Sequence, residues 1–216
     1  MSGIDWPALC AGGIVGAYWA RVLRLVFKAR RATGRAANIV PPEPLGRLLR
    51  IAWYPTVVAW IAVPFYVAFF DVKAPAALRR LYYAPFSQWV GVTLAFAALG
   101  ATLVCWKRMG TSWRMGIDPG EKTRLIVTGP YAYVRHPIYA LSSLLMLATV
   151  LVVPAAAMIV VAVIHLSFLQ WEARREERHL IGVHGPQYEA YRRRVGRFVP
   201  RTLTPYGSGS GGTVSV

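Results

Sequence analysis

Two polar stretches of this chain carry residue types that could hold a charged ligand. The first, residues 125–139 (LIVTGPYAYVRHPIY), ends in RHPIY, where an apolar helix is expected to begin. The start of a helix leaves backbone N–H groups free and carries a partial positive charge, which suits a carboxylate or phosphate. Tyr131 and Tyr133 add flat aromatic faces for a purine or a cation. This stretch is therefore predicted to form one half of a binding site.

The second stretch, residues 172–191 (EARREERHLIGVHGPQYEAY), supplies carboxylates at helical spacing. Glu172 and Glu176 are four residues apart and share a helix face, whereas Glu177 is offset by about 100°. Carboxylates placed in this way can hold an ammonium group or ribose hydroxyls. The alternative is a solvated helix face with internal ion pairs, and the charge pattern taken alone favours that alternative.

The composition indicates a small membrane protein. The chain has 216 residues, is 56% hydrophobic and has a formal net charge of +16. A soluble domain usually has about a quarter of its residues charged, whereas a membrane protein concentrates its charges in loops. The Lys and Arg residues cluster at the ends of apolar runs, which favours retention on the cytosolic side over nucleic-acid binding. Cys10 and Cys105 both lie within apolar runs, so no disulfide or metal site is expected.

Three apolar runs, residues 6–27, 51–70 and 88–106, are each long enough to cross a hydrocarbon core of about 30 Å. The segments that follow them contain six, three and six cations, counted over 28–50, 71–87 and 107–135. This alternation of rich, poor and rich is the positive-inside pattern. It predicts an N-terminus outside the cell and cytosolic segments after the first and third spans.

The next apolar block, residues 138–170, is predicted to fold back on itself. As one straight helix it would be roughly 50 Å long, which exceeds the bilayer thickness. A single span would also leave the arginine-rich C-terminus on the wrong side. Pro154 lies near its middle and can end one helix and start another. We therefore expect antiparallel helices at 138–153 and 154–170, which would bring the two polar stretches together.

The predicted fold is an all-α integral membrane protein with about five transmembrane helices. The last two form the short hairpin, and a cytosolic C-terminal region binds the cofactor. The predicted divisions are N-terminal membrane helices at 1–106 with a basic connector at 28–50, a core at 107–200 that contains both polar stretches, and a flexible tail at 201–216. His165 lies inside the last helix, where a functional role and a hydrogen bond to a neighbouring helix are about equally plausible.

Residues 125–139 combine with three later motifs: EExxL at 176–180, GxxYxxY at 185–191 and RFVP at 197–200. In this order, and joined by an apolar hairpin, they resemble the isoprenylcysteine carboxyl methyltransferase and phospholipid methyltransferase superfamily of integral membrane enzymes. The resemblance covers roughly residues 107–200. His184 and Gly196 depart from the family pattern, which usually has an aromatic residue and a proline at these two places.

The resemblance implies a membrane methyltransferase that binds S-adenosylmethionine on the cytosolic side, with a lipophilic acceptor entering from the bilayer. It implies no metal. The alignment leaves open which of the two adjacent glutamates contacts the cofactor. Carried over by position, the cofactor-binding residues would be Thr123, Arg124, Leu125, Ile126, Tyr131, His136, Pro137, Ile138, Tyr139 and Glu176 or Glu177.

Two residues are predicted to act in catalysis. In prenylcysteine enzymes an arginine near the start of the last polar helix is associated with the substrate carboxylate, and Arg174 lies close to that position. An arginine there could orient an anionic acceptor. An amine acceptor would instead need a base, for which Glu177 is the nearest candidate.

Other functions remain open from the sequence. A membrane reductase of the sterol or steroid type, which uses NADPH, has a similar C-terminal region, and titration with both cofactors would separate the two enzymes. A third possibility is a non-catalytic membrane scaffold, which would bind neither cofactor. The acceptor is open among isoprenoid carboxylates, phospholipid amines, quinones and small thiols.

Overall fold

The computed structural model describes residues 3–34, 43–70, 74–110 and 125–207. Within these ranges the chain forms α-helices, one short 3₁₀ helix at Gly129–Ala132 and no β-strand. In chain order the helices are α1 (Trp6–Thr33), α2 (Pro44–Phe70), α3 (Pro85–Met109), α4 (Pro137–Val152), α5 (Ala156–His184) and α6 (Pro186–Arg194).

Four of these helices, α1, α2, α3 and α5, are long and apolar enough to cross a membrane. The remaining apolar helix, α4, has 16 residues and is about 24 Å long, against about 30 Å of hydrocarbon. The predicted all-helical membrane architecture is confirmed to this extent. The predicted set of five spans corresponds to four long helices and one shorter helix.

Helices α4 and α5 form an antiparallel hairpin joined by residues 153–155. Ser142 Oγ lies 3.1 Å from His165 Nε2, so residues about equally far from the turn face each other. The loop before α3 covers the turn, because the N–H of Leu81 donates to the carbonyl of Pro154 at 2.8 Å. The start of α4 and the polar half of α5 therefore lie together at the other end of the hairpin.

Helix α5 continues well beyond the end expected at residue 170. It reaches His184, so the apolar half and the charged half of this region form one helix of 29 residues. The charged residues after Gln170 are good helix formers, and no proline interrupts them. The helix stops at Gly185, whose φ of 51° lies in the left-handed region that glycine adopts without strain. Pro186 then opens α6.

An aromatic cluster joins the first three helices. The ring centroids of Tyr18 in α1 and Trp106 in α3 are 5.2 Å apart, and those of Trp19 in α1 and Trp53 in α2 are 5.3 Å apart. Trp60 in α2 also packs against Tyr18, at 6.3 Å. Such pairs contribute about 0.5–1.5 kcal/mol each beyond the area they bury. The cluster therefore holds α1, α2 and α3 together beside the hairpin.

Helices α3 and α4 approach each other closely at Gly91. A Cβ there would lie 2.7 Å from Val152 Cγ2 and 2.9 Å from the carbonyl oxygen of Ala148. We expect Gly91→Ala to lower the free energy of unfolding in detergent by about 1–3 kcal/mol, because the backbone oxygen cannot yield as a side chain would. Gly100→Ala on the same helix is the matched control, since a Cβ there meets nothing within 4 Å. Equal stability of the two variants would contradict close packing at Gly91.

Candidate functional site

A cavity of about 900 Å³, counted with its open mouth, lies between the first helices and the hairpin. The cavity is bordered by α1, the start of α2, the end of α3, the start of α4 and the middle of α5. Six residues predicted from sequence to bind the cofactor line it together: Tyr131, His136, Pro137, Ile138, Tyr139 and Glu176.

The other predicted site residues lie elsewhere. Leu125 packs against a separate apolar cluster formed by Tyr188, Tyr191 and Val195, and Ile126 is half-buried outside the cavity lining. Arg174 is exposed on α5 and does not line the cavity. Thr123 and Arg124 fall outside the described residues.

Glu177 is buried behind the cavity wall and holds two arginines. Its Oε1 accepts from Arg135 Nη2 at 2.8 Å and Nε at 3.1 Å, and from Arg197 Nε at 2.9 Å. Its Oε2 accepts from Arg197 Nη2 at 2.6 Å. Hydrogen bonds between charged groups of this kind are the strong ones in proteins. Because both oxygens are engaged and the residue is 3% exposed, Glu177 acts here as an anchor.

Through Arg135 and Arg197, Glu177 holds in place the segment of residues 195–200, which we name the C-terminal strap. The N–H of Arg135 donates to the carbonyl of Gly196 at 2.8 Å, and the N–H of His136 donates to the carbonyl of Arg197 at 3.0 Å. Arg135 Nη1 also donates to the carbonyl of Val195. The strap thus runs beside residues 134–136 and holds the segment that leads into α4.

The contacts continue beyond Pro200, where the flexible tail was expected to begin. The N–H of Tyr206 donates to the carbonyl of Ala132 at 3.0 Å, and its ring packs edge-on against Tyr191 at 5.1 Å. Residues 208–216 lie outside the described part of the chain.

His136 lies between the two adjacent glutamates. Its Nδ1 is 3.5 Å from Glu176 Oε2, and its Nε2 is 3.3 Å from Glu177 Oε1, an ion-pair distance without hydrogen-bond geometry. The ring is parallel to that of Tyr139, with centroids 5.4 Å apart. Burial lowers the pKa of His136, but the two carboxylates outweigh burial and raise the pKa above its ordinary value of 6.5. The site thus favours an imidazolium between two carboxylates.

This arrangement predicts a pH-dependent stability. A raised folded-state pKa means that the contribution of His136 is fully present below pH 6.5, the ordinary value, and is lost as the pH rises through the raised value. The apparent melting temperature of the wild type should therefore exceed that of His136→Gln most at low pH, and the difference should shrink on raising the pH. A difference that grows with pH would contradict the assignment.

A second buried ion pair lies at another wall of the cavity. Arg50 Nη2 and Glu172 Oε1 are 2.9 Å apart, with side chains 2% and 5% exposed. The guanidinium also lies over the rings of Trp53 at 5.7 Å and Phe168 at 5.4 Å. Sequence reasoning counted Arg50 only as a loop cation. Its position within a helix, three residues before Trp53 on the same face, is the signal that could have identified it.

The first three helices supply cavity residues that the sequence analysis treated only as hydrophobic spans. Trp19, Trp53 and Trp106 all line the cavity. Each lies within about two helical turns of the predicted cytosolic end of its span, where tryptophan is also common as an interfacial anchor. An interfacial anchor explains a tryptophan at such a place equally well, so the position in the sequence does not by itself indicate a binding site.

His165 is bonded to its neighbouring helices. Trp53 Nε1 donates to His165 Nδ1 at 3.2 Å, so Nδ1 must accept because an indole only donates. The other ring nitrogen is bonded to Ser142. Of the two roles considered, the structural hydrogen bond is the one observed. Elsewhere in the described ranges, no three His, Cys, Asp or Glu side chains come together in a way that could hold a metal ion.

One curated relative resembles this chain over about half its length. It is the nickel-cobalt-cadmium resistance protein NccN of Alcaligenes xylosoxydans xylosoxydans, which is 25% identical over 118 residues. The alignment covers 53% of this chain and 55% of that protein. The chain thus spans little more than half of the relative that it matches.

The family comparison covers most of the region that builds the cavity. Residues 86–187 match the phospholipid methyltransferase family. The matched region contains α3, α4 and α5, and hence His136 and Glu176 on their shared cavity. The match confirms the resemblance predicted from the sequence motifs and supports methyltransferase activity. Over residues 86–187, just under half of its length, the chain is thus similar to the phospholipid methyltransferase family of membrane methyltransferases.

Proposed function

We propose that the protein transfers a methyl group from S-adenosylmethionine to a lipophilic acceptor at the cytosolic face of a membrane. The observation that carries this proposal is that the RHPIY segment and Glu176 line one cavity together with aromatic residues of the first three helices. The family match supports the reaction type. The hairpin supports the geometry, because it returns the polar half of α5 to the start of α4.

The cavity residues fit this cofactor in charge and shape. Glu176 is the accessible carboxylate, with a side chain 39% exposed, and can face the positively charged parts of the cofactor. The rings of Tyr131 and Tyr139 line the same cavity and suit a cation or a purine. The first N–H groups of α4 have no intrahelical partner and suit a carboxylate. When bound, the cofactor supplies an electrophilic methyl group on a sulfonium.

In this proposal the residues of the chain bind the cofactor, exclude water, position other side chains and face the acceptor. Glu176, Tyr131 and Tyr139 hold and shield the positive charge of the cofactor. The side chains of Trp19, Trp53 and Trp106, which we call the aromatic wall, exclude water from the reacting atoms. Glu177, predicted from sequence as a catalytic base, becomes a positioning residue because its oxygens hold two arginines. Arg174 lies outside the cavity, so its position gives a catalytic role no support. Arg50 is the arginine placed to face an acceptor.

The membrane orientation completes the proposal. With the N-terminus outside, the arginine-rich α6 and the cavity mouth lie on the cytosolic side, as the distribution of cations favours. The acceptor then reaches the reacting centre from the bilayer. Residues 107–200 would form the catalytic part and residues 1–106 the supporting helices.

The test is binding and turnover with labelled cofactor. Purified protein in nanodiscs should bind radiolabelled S-adenosylmethionine, and not NADPH, and should label a component of total membrane lipid. Glu176→Gln should weaken cofactor binding at least tenfold, which corresponds to about 1.4 kcal/mol. Glu189→Gln on α6 is the control, because that carboxylate is half-exposed and lies outside the cavity lining. Binding of NADPH in place of S-adenosylmethionine would refute the proposal.

A further inference from the structure

A second cleft, of about 1120 Å³ counted with its open mouth, lies beside the end of α6. Three arginines line this basic cleft: Arg193 and Arg194 from the last turn of α6, and Arg201 from the segment after the strap. None of the described residues in its lining is acidic. Among the described residues, it shares no lining residue with the cavity that contains Glu176. The basic cleft is therefore a separate, positively charged feature of the surface.

The positive charge of the basic cleft is concentrated at the carbonyl end of α6. That end of a helix would by itself repel an anion, but Arg201 covers it, because its Nη1 donates to the carbonyl of Arg193 at 2.7 Å. Arg193 faces Glu189 at 4.0 Å in a largely exposed pair, and such pairs contribute little. Guanidinium groups bind phosphate through parallel N–H bonds. The arginines thus make a phosphate group a suitable ligand here.

The basic cleft lies close to the cytosolic end of α4. Ala132 and Tyr133, in its lining, come just before Pro137, where α4 begins. Tyr206 also lines the cleft, and its N–H donates to the carbonyl of Ala132 at 3.0 Å. Because α4 is about 24 Å long and the hydrocarbon core about 30 Å thick, a membrane helix of this length begins near the lipid headgroups. The cleft is therefore at headgroup level in the proposed orientation.

Exposed apolar side chains lie near the arginines in the chain. Val199 and Leu203, each two residues from Arg201, are 72% and 89% exposed. Large apolar side chains interspersed with arginines are typical of segments that insert into the boundary between headgroups and acyl chains. Tyr133, half of whose neighbours in the cleft are polar, is of a residue type common at the same boundary. A lipid surface accommodates both the charged and the apolar residues.

We propose that the basic cleft binds the phosphate group of an anionic phospholipid, with Val199 and Leu203 in contact with its acyl chains. A zwitterionic phospholipid also has a phosphate, but its cationic group would add positive charge beside three arginines. The basic cleft therefore favours a headgroup with a net negative charge, as in phosphatidylglycerol. The inference uses the membrane orientation of the proposed function but not its reaction.

The experiment measures lipid binding in detergent, with neither cofactor nor acceptor present. Wild type and the double variant Arg194→Gln/Arg201→Gln are titrated with phosphatidylglycerol, or with phosphatidylcholine that has the same acyl chains. Native mass spectrometry gives the dissociation constant of the first bound lipid. The double variant should bind phosphatidylglycerol about tenfold more weakly than the wild type does. Its affinity for phosphatidylcholine should be unchanged. A photoreactive phosphatidylglycerol should label the wild type within residues 193–207.

Arg178→Gln/Arg192→Gln is the matched control. It removes the same charge from two exposed arginines that do not line the basic cleft, so it should bind phosphatidylglycerol as the wild type does. An equal loss in the two double variants, or no loss in either, would overturn the inference. Labelling confined to other residues would also overturn it, as would equal affinity of the wild type for the two lipids.

Inorganic phosphate separates a lipid headgroup from a free anion. If it displaced phosphatidylglycerol at the concentration of the lipid itself, the cleft would be a site for soluble phosphate, and the inference would be wrong. Because no step of the experiment uses S-adenosylmethionine, failure of the inference would leave the proposed function standing. A protein that bound phosphatidylglycerol here but did not bind S-adenosylmethionine would refute the proposed function alone.

Discussion

Replacing Glu177 with alanine should lower the free energy of unfolding by about 3–5 kcal/mol, because it leaves a buried charge without its partner. Arg135 is 8% exposed and would lose the carboxylate that accepts from its Nε and Nη2. Arg197 would lose both of its bonds to the same carboxylate. The measurement is the free energy of unfolding in mixed micelles, together with the dissociation constant for S-adenosylmethionine.

Glu189→Ala provides the comparison. Glu189 also faces an arginine, Arg193, but at 4.0 Å and with side chains 47% and 71% exposed, and exposed pairs of this kind contribute about 0–1 kcal/mol. A loss at Glu177 no larger than that at Glu189 would show that the buried cluster does not hold the fold. Loss of cofactor binding in Glu177→Ala without loss of stability would restore Glu177 as a cofactor ligand.

The hairpin was predictable because it depends on properties that act over long segments. An apolar block too long for the bilayer, an arginine-rich end that must return to the cytosol and Pro154 near the middle together leave few arrangements. The turn lies at 153–155, one residue either side of that proline. The pairing of His136 with the two glutamates follows from the same folding back.

The roles of individual side chains were not predictable in the same way. The sequence predicts that Glu176 and Glu177 lie about 100° apart around a helix. Which of the two glutamates faces the cavity depends on Arg135 and Arg197, because these arginines bind Glu177. Those arginines are 42 and 20 residues away from Glu177 in the chain. Such contacts are set by tertiary packing, so no local pattern could separate the anchor from the accessible carboxylate.

The aromatic wall was missed for a related reason. Trp19, Trp53 and Trp106 come from three different helices, and helix rotation about the long axis decides whether each faces lipid or the cavity. A helix that is apolar on all sides has little hydrophobic periodicity, so the sequence does not indicate how the helix is rotated. Family motifs at residues 125–200 add nothing for helices that lie before them.

Gly196→Ala should reduce cofactor affinity at least tenfold, about 1.4 kcal/mol, because it would displace the segment that positions His136 in the cavity. A Cβ at Gly196 would overlap the carbonyl oxygen of Val199, which belongs to the backbone and cannot move aside alone. The strap would have to shift. The carbonyl groups of the strap that accept from the N–H groups of Arg135 and His136 would shift with it.

The departure from the family pattern at this position makes the result informative. Where the resemblance to the family leads us to expect a proline before Arg-Phe, this chain has glycine, the one residue without a Cβ, and its strap turns tightly there. Gly182→Ala on α5 is the control, since a Cβ there meets nothing within 4 Å, and it should bind cofactor as the wild type does. If Gly196→Ala bound S-adenosylmethionine normally, the strap could be rebuilt without moving His136. In that case the site would depend on the hairpin alone, and Glu177 would be needed only for stability.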